Sequence, residues 1–462
     1  MRVFIARRRE NAQRTESLWA PEHRALTLGL VLTITFVASE ALAVAPAVPV
    51  LARELGGLRL YGWVFSAFML ANLVGAVLAG QAADKRGPAS PYLVGIGLFV
   101  VGLLISGRAQ SMGVVVIGRA VQGLGAGAVP AVAYASIGRS LPASLQPRMM
   151  AVLSTAWVLP GLFAPTIAAV VIRHASWRWI FEGLIPIVLL TAPVALPALL
   201  RLGPRGGEAP PRRLLEAIGV AAGAGLVLAG LTEQPTVARV PLVIAGLLIG
   251  VPSLRRVLPP GALRLQRGLP VTVVSRGFLT FAFFGADTYL PLTVQSARHA
   301  SSLITGVALT VTTISWTVGS WVQARLARER DGRTFVGTGV VLVLVGTAGL
   351  AACLSTAVPV WFVVPAWTLA GLGMGLAYGP VTVLVLREAP EGQEGSASAS
   401  LTLCDTLGWA LGTGVGGAAV AAAQAGGWPL HDGILLALAC TAAVGCVCLA
   451  VSRRLPAGRL VT

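Results

Sequence analysis

Three carboxylates stand inside long apolar runs of this chain. Glu40 lies in Ala38-Ser-Glu-Ala-Leu-Ala-Val-Ala-Pro-Ala-Val-Pro49, Asp287 in Phe284-Gly-Ala-Asp-Thr-Tyr-Leu-Pro291 and Asp405 in Leu403-Cys-Asp-Thr. A charged carboxylate is costly at membrane depth, and groups kept there mark ion and substrate pathways. Arg119 follows Ile117 by two residues in another apolar run. Burying it costs on the order of 2.5–3.5 kcal/mol on insertion scales. It needs a partner or a water-filled cavity, or it snorkels to the interface. The chemistry these groups offer is the binding and release of protons and charged solutes.

Bond-breaking chemistry finds no support, and no residue is singled out as catalytic. His23, His174, His299 and His431 lie far apart, without metal-ligand spacing. No nucleophile elbow or phosphate loop occurs, and without a Gly-x-x-x-x-Gly-Lys-Ser/Thr run ATP is not a direct driver. The five cysteines (Cys353, Cys404, Cys440, Cys446, Cys448) all sit in apolar spans. Their number is odd, so they read as small core residues and not as a disulfide framework. No cofactor is expected, and an enzyme is the least favoured class.

What must position the acids is a set of membrane helices. Of 462 residues 55% are hydrophobic and 11% charged, and the mean hydropathy is +0.80. Soluble domains carry roughly 25% charged residues. About 20 apolar residues suffice to cross a bilayer as a helix. Fourteen such spans are expected, at 25–50, 61–80, 91–107, 113–137, 148–172, 181–200, 214–231, 239–254, 270–294, 303–324, 335–354, 359–385, 396–423 and 431–451. The alternative is twelve, with 201–269 as a long loop. Ile218–Leu231 and Val240–Val251 are too apolar for that but short for spans. The expected fold is an all-α integral membrane protein of two six-helix halves plus two extra central helices. The segments are 1–24, 25–200, 201–269 with the extra pair, 270–451 and 452–462.

The net charge of +17 could suggest nucleic acid, but the bases fall in short gaps between spans. Of the 35 bases, 26 fall in gaps on one side, 7 on the other, and Arg119 and Arg276 within spans. The positive-inside rule then places both termini in the cytoplasm. Lys85 is the single lysine, and the Arg, Ala, Val and Gly richness points to a GC-rich bacterial genome. Residues 1–24 are too polar for a cleaved signal peptide. The location expected is a bacterial plasma (inner) membrane.

Two segments repeat. Gln122-Gly-Leu-Gly-Ala-Gly-Ala-Val-Pro130 in the fourth span matches Ala370-Gly-Leu-Gly-Met-Gly-Leu-Ala-Tyr-Gly-Pro380 in the twelfth. They hold equivalent places if the two halves are repeats around a midplane cavity, which is transporter architecture. After the second span comes Gly80-Gln-Ala-Ala-Asp84-Lys85-Arg86-Gly87-Pro88. Gly80 is expected to let two helices approach closely, and Gly87 to permit a sharp bend.

This loop resembles the signature Gly-x-x-x-Asp-Arg/Lys-x-Gly of the major facilitator superfamily, with Pro88 and Ala89 where that family carries two bases. The resemblance implies that Asp84 and Arg86 help latch the outward-facing state. Arg119-Ala-Val-Gln122-Gly123-Leu-Gly125 looks like the motif of its proton-coupled members, where the arginine is implicated in proton movement. Pro160-Gly161-Leu-Phe-Ala164-Pro165 resembles the antiporter motif, and Gly408-Trp-Ala-Leu-Gly412-Thr-Gly-Val-Gly416-Gly417 is a version richer in glycine; helix packing alone also explains both. Trp177-Arg-Trp-Ile-Phe181 and the Glu40 segment look like those of fourteen-spanner bacterial drug:proton antiporters, Glu40 replacing their Asp. Trp157, Trp316 and Trp409 lie deep in their spans, as an aromatic cavity lining or as packing.

The resemblance implies a proton-coupled exporter of amphipathic small molecules, drugs or natural products, working by alternating access on the proton gradient. Glu40, Asp287, Asp405 and Arg119 would serve proton and substrate. Such folds can work as monomers; the partners expected are the substrate, protons and membrane lipid. Export of a lipid or other endogenous amphiphile is the alternative. Uptake by symport, or a receptor or scaffold that transports nothing, would stand further off.

Overall fold

The computed structural model describes residues 17–142, 144–204, 212–232, 236–391 and 393–458. Residues 1–16 of the N-terminal segment, Arg205, Glu233 and Arg459 lie outside the described residues. Among the described residues fourteen helices are long and apolar enough to cross a membrane. They are α1 (Arg24–Glu54), α2 (Tyr61–Arg86), α3 (Ala89–Gly107), α4 (Met112–Ser140), α5 (Gln146–His174), α6 (Leu184–Leu200), α7 (Arg212–Thr232), α8 (Thr236–Val257), α9 (Leu269–Leu292), α10 (Ser302–Leu326), α11 (Gly332–Ala352), α12 (Val363–Glu388), α13 (Glu394–Ala425) and α14 (Leu430–Ser452). Among the described residues no strand occurs. Helices are the form that satisfies backbone N–H and C=O groups without water. Their outward faces are apolar, as lipid requires: Leu190 is 77% and Val237 83% exposed. The chain is a multi-pass membrane protein.

The stretch read as two short spans does form α7 and α8, so the twelve-span alternative falls. The pair is zipped by small residues: Gly223 faces Gly250 and Gly246, and Gly219 faces Ser253. Helix α7 reaches both halves, its Leu228 lying against Gly414 of α13 and Gly225 near Leu70 of α2. It covers one seam of the molecule, and α8 packs on α7.

The internal repeat is visible at the level of single carbonyls. Lipid tails give helices no hydrophobic reason to associate, so close approach at small residues does that work. On α4, Gly123 faces the Phe68 carbonyl and Gly127 the Asn72 carbonyl of α2. On α12, Gly371 faces the Thr312 carbonyl and Gly375 the Trp316 carbonyl of α10. Gly125 on Gly95 of α3 is matched by Gly373 on Gly339 of α11. Halves α1–α6 and α9–α14 are thus built on one plan, with α7 and α8 between them in sequence.

Gly80 is not part of this packing. A Cβ there would meet nothing within 4 Å, which corrects the close approach expected of it. Five residues beyond Gly75, which does face the Leu124 carbonyl, it points well round the helix from the α2–α4 seam. Gly87 does make the bend: its φ is +82° and a Cβ would fall 2.8 Å from the Leu202 carbonyl.

Antiparallel threading puts the starts of α1, α9 and α13 and the ends of α2, α4, α10 and α12 on one face. That face carries Lys85, Arg86, Arg139, Arg325 and Arg387; it is the basic face. The halves are tied together away from it. Tyr61 donates to the Thr288 carbonyl (2.9 Å), Ser66 to the Ala410 carbonyl (2.8 Å) and Gln295 to the Pro46 carbonyl (3.0 Å). The hydroxyls of Thr166 on α5 and Thr310 on α10 bond at 2.9 Å. These contacts all lie toward the opposite face, and form its seal.

Candidate functional site

The first polar cluster joins α1 to α4. Arg119 is 2% exposed and Glu40 fully buried. An Arg119 guanidinium N–H donates to Glu40 Oε1, and its Nε donates to the Val64 carbonyl at 3.1 Å. Gln122, one turn along α4, donates to the same Glu40 oxygen at 3.2 Å. The guanidinium also lies over the Phe68 ring, 4.1 Å from its centre. Arg119 is therefore an enclosed partner of Glu40 and does not snorkel. Buried ion pairs hold when charge and hydrogen-bond demands are met together, and break expensively.

The second cluster is in the other half. Trp367 of α12 donates its indole N–H to Asp287 Oδ1 of α9 at 2.6 Å. Trp367 stacks on Phe283, with ring centres 5.6 Å apart and planes at 17°. Phe283 meets Trp316 edge-on at 5.5 Å, and Trp316 meets Tyr378 at 5.3 Å.

The third cluster stands at the far end of that aromatic chain. Tyr378 donates to Asp405 Oδ2 at 3.1 Å, and Arg276 Nε lies 3.7 Å from Asp405 Oδ1. The Arg276 guanidinium covers the Tyr378 ring at 3.4 Å and donates to the Thr382 hydroxyl. Two of its nitrogens, Nε and Nη1, and Asp405 Oδ1 make no hydrogen bond. This ion pair is looser than that of Glu40 and Arg119 and has spare donors; each pair leaves one carboxylate oxygen, Asp405 Oδ1 and Glu40 Oε2, without a hydrogen bond.

Of these clusters, Asp405 reaches a cavity between the halves. The cavity holds about 240 Å³ and is walled by α1, α2, α4, α5 and α13. Its wall is apolar and aromatic (Phe68, Tyr134, Trp157, Trp409), with Asn72, Thr406 and the Asp405 carboxylate as polar groups. It runs from mid-membrane toward the basic face, away from the seal. Trp409 stacks face to face on Phe284 at 3.8 Å. Trp157 and Trp409 line this cavity, while Trp316 belongs to the aromatic chain. Neither Glu40 nor Asp287 is in its wall. A separate groove of about 620 Å³ runs between α1, α5 and α6, almost wholly apolar, with Phe36, Phe163 and Trp179 in it.

The loop motif makes a pair that its spacing did not name. Asp84 accepts from Arg139 at the end of α4 (3.0 Å), and Arg86 is exposed. The antiporter-like segments are packing surfaces: Gly161 faces Thr313 of α10 and the Pro165 carbonyl faces Gly306, joining the halves. Pro160 lines the lateral groove. Gly408 and Gly412 face the Gly277 and Phe281 carbonyls of α9. Sequence reasoning missed Gln122, Arg276, Tyr378 and Trp367 as partners of the acids. Arg276 was legible as a base inside a span; Trp367 was not, since a tryptophan in an apolar run is usually packing.

Two like halves closed at one face, with charged groups held between their helices and a cavity at the centre, define a membrane transporter of the two-repeat class. The chain belongs to the Major Facilitator Superfamily, whose sequence model matches residues 26–413. It is 28% identical over 415 residues to a probable multidrug-efflux transporter of Mycobacterium tuberculosis, covering 85% of this chain and 87% of that one. It is 24% identical over 379 residues to the multidrug transporter MdtP of Bacillus subtilis, covering 79% and 69%. In fold it is similar to an auto-inhibited peptide transporter of the POT family (TM-score 0.66, 16% identity, 92% of this chain and 97% of that one). It is also similar to a partially occluded, inward-open form of the xylose transporter XylE from E. coli (TM-score 0.62, 14% identity, 92% and 96%).

Proposed function

We propose that this protein exports amphipathic small molecules from a bacterial cell in exchange for protons, by alternating access. The basic face is the cytoplasmic one under the positive-inside rule. The conformation described is then inward-facing, sealed outside by the Tyr61, Ser66 and Gln295 contacts. The observation that carries the reading is the central cavity. It is apolar and aromatic, it runs toward the cytoplasm, and its one carboxylate is Asp405. Such a wall suits a molecule with a flat apolar body and a cationic group. The multidrug-efflux relatives support export.

The exchange needs only that proton and substrate are not held at once. Substrate entering from the cytoplasm releases a proton from a carboxyl, and the emptied protein takes one up outside. A second reading, export of a lipid, draws on the apolar groove between α1, α5 and α6. The test uses purified protein in vesicles with an interior pH dye and a panel of amphipathic cations, comparing wild type with D405N. Substrate-evoked proton movement that D405N weakens is the expected result. No movement with any compound would sink proton exchange and shift the weight to the lipid reading.

A further inference from the structure

The two halves hold their opening acids against unlike partners. Trp367 precedes Ala370 by three residues as Arg119 precedes Gln122, in the two segments that begin the matched glycine runs. The glycines that follow pack on equivalent carbonyls, so Trp367 stands in α12 where Arg119 stands in α4. Glu40 on α1 and Asp287 on α9 are the acids that these two positions meet. One acid has a guanidinium and an amide donor, and the other a single neutral N–H. From this asymmetry we infer that Asp287 is the carboxyl that carries the exchanged proton, and that Glu40 stays the anion of a fixed ion pair. This rests on the proton-exchange reading and names its acid.

The chemistry follows from what each carboxyl is offered. Beside Arg119, a proton on Glu40 would strand a buried cation. Beside Trp367, a proton on Asp287 removes a charge that nothing nearby neutralises, and a neutral carboxyl oxygen still accepts the indole N–H. Asp287 is partly buried, and a charge largely withdrawn from water with one neutral hydrogen bond is the more expensive form.

The groups around Asp287 do not supply a cation. From α2 it faces Tyr61, which lies within electrostatic reach and donates to the carbonyl of the next residue, Thr288. On its own helix Tyr289 donates to the Thr413 carbonyl of α13. The ionisable groups on the surrounding helices are engaged elsewhere: Glu40 of α1 with Arg119, Asp405 of α13 with Arg276 and Tyr378, and Asp432 of α14 with His431. Arg333, Arg387, Glu388 and Glu394 sit at the basic ends of α11, α12 and α13. Among the described residues no ion pair includes Asp287.

Its position suits the cycle. Asp287 lies directly inside the seal, next to Thr288, so parting of Tyr61 from Thr288 would open it to the outer solution. On the cytoplasmic side it is one turn from Phe283 and Phe284, and Phe284 backs the cavity-lining Trp409. In the step proposed, the Asp287 O–H bond breaks and the proton passes to cytoplasmic water, while the charge of the cation entering the cavity beyond Phe284 and Trp409 replaces that of the proton lost. Outside, release of the cation and uptake of a proton restore the acid.

Two measurements on the full-length protein in vesicles test this. Infrared difference spectra across a pH step should show the carbonyl band of a protonated carboxyl, lost in D287N and kept in E40Q. W367K, which leaves the acid in place but supplies the missing cation, should also lose it. In the dye assay D287N should abolish substrate-evoked proton movement while cation binding persists. A band that survives D287N, that is absent from wild type or that only E40Q removes would overturn the assignment, as would proton movement retained by D287N. Silence of the wild type in the dye assay would instead overturn the proton-exchange reading, and the infrared result would still report where the proton sits.

Discussion

Asp84 at the end of α2 is paired with Arg139 at the end of α4, both in the same half, with Nη2 3.0 Å from Oδ1. Arg139 also donates to the Ala83 carbonyl at 3.1 Å and the Gly203 carbonyl at 3.2 Å. One guanidinium therefore gathers the α2 turn, the α4 end and the segment after α6. Asp84 is about two-fifths exposed, so its ion pair is worth no more than about 1 kcal/mol. We predict that D84N changes thermal stability by less than that but slows transport. R139A should cost more stability, because three acceptors lose their donor. The charge swap D84R/R139D should fail to restore transport, since an Asp at 139 cannot donate to either carbonyl. Recovery in the swap would show that charge alone matters. Melting curves and vesicle transport decide.

The enclosed pair Glu40–Arg119 should behave oppositely. E40A strands a buried guanidinium and R119A a buried carboxylate, each at about 3–5 kcal/mol. The double variant removes both charges and should lose markedly less than the sum, a coupling readable from a thermal or denaturant double-mutant cycle. Additive losses would mean that the two residues act on separate neighbours.

The fourteen spans were legible because the bilayer imposes one length and one composition on every crossing. The repeat was legible because only small residues allow two helices to touch there. The acids stood out for the same reason that they matter: charge is rare in such a chain. Their partners were not legible, because pairing joins residues 79 apart for Glu40 and Arg119 and 80 apart for Asp287 and Trp367, with no periodicity to link them. Nor was the division of labour. Glu40 and Asp287 looked alike as acids on the first helix of each half, and only the neighbours tell them apart. Gly80 misled because its spacing fits a motif while its direction around α2 depends on packing.

The glycine contacts set up a sharp contrast. G123V and G371V place a branched side chain against the Phe68 and Thr312 carbonyls, so neither should give a monodisperse protein in size-exclusion chromatography. G80A meets open space and should fold normally, gaining up to about 1 kcal/mol from helix propensity. A well-folded G123V would mean that α2 and α4 can separate at that level.

Ser66 and Thr413 offer a reporter of the seal. Their hydroxyls bond at 2.9 Å across the halves, and Ser66 also donates to the Ala410 carbonyl. In a background with the five native cysteines replaced, S66C/T413C should form a disulfide under mild oxidation and stop transport, and reductant should restore it. The cross-linking rate measures the time spent sealed on this face. Outside proton excess should raise that rate if the protonated protein returns to the cytoplasm-facing form, whereas an empty protein that rests open to the outside should cross-link slowly. A rate independent of protonation would separate closure of the seal from proton binding altogether.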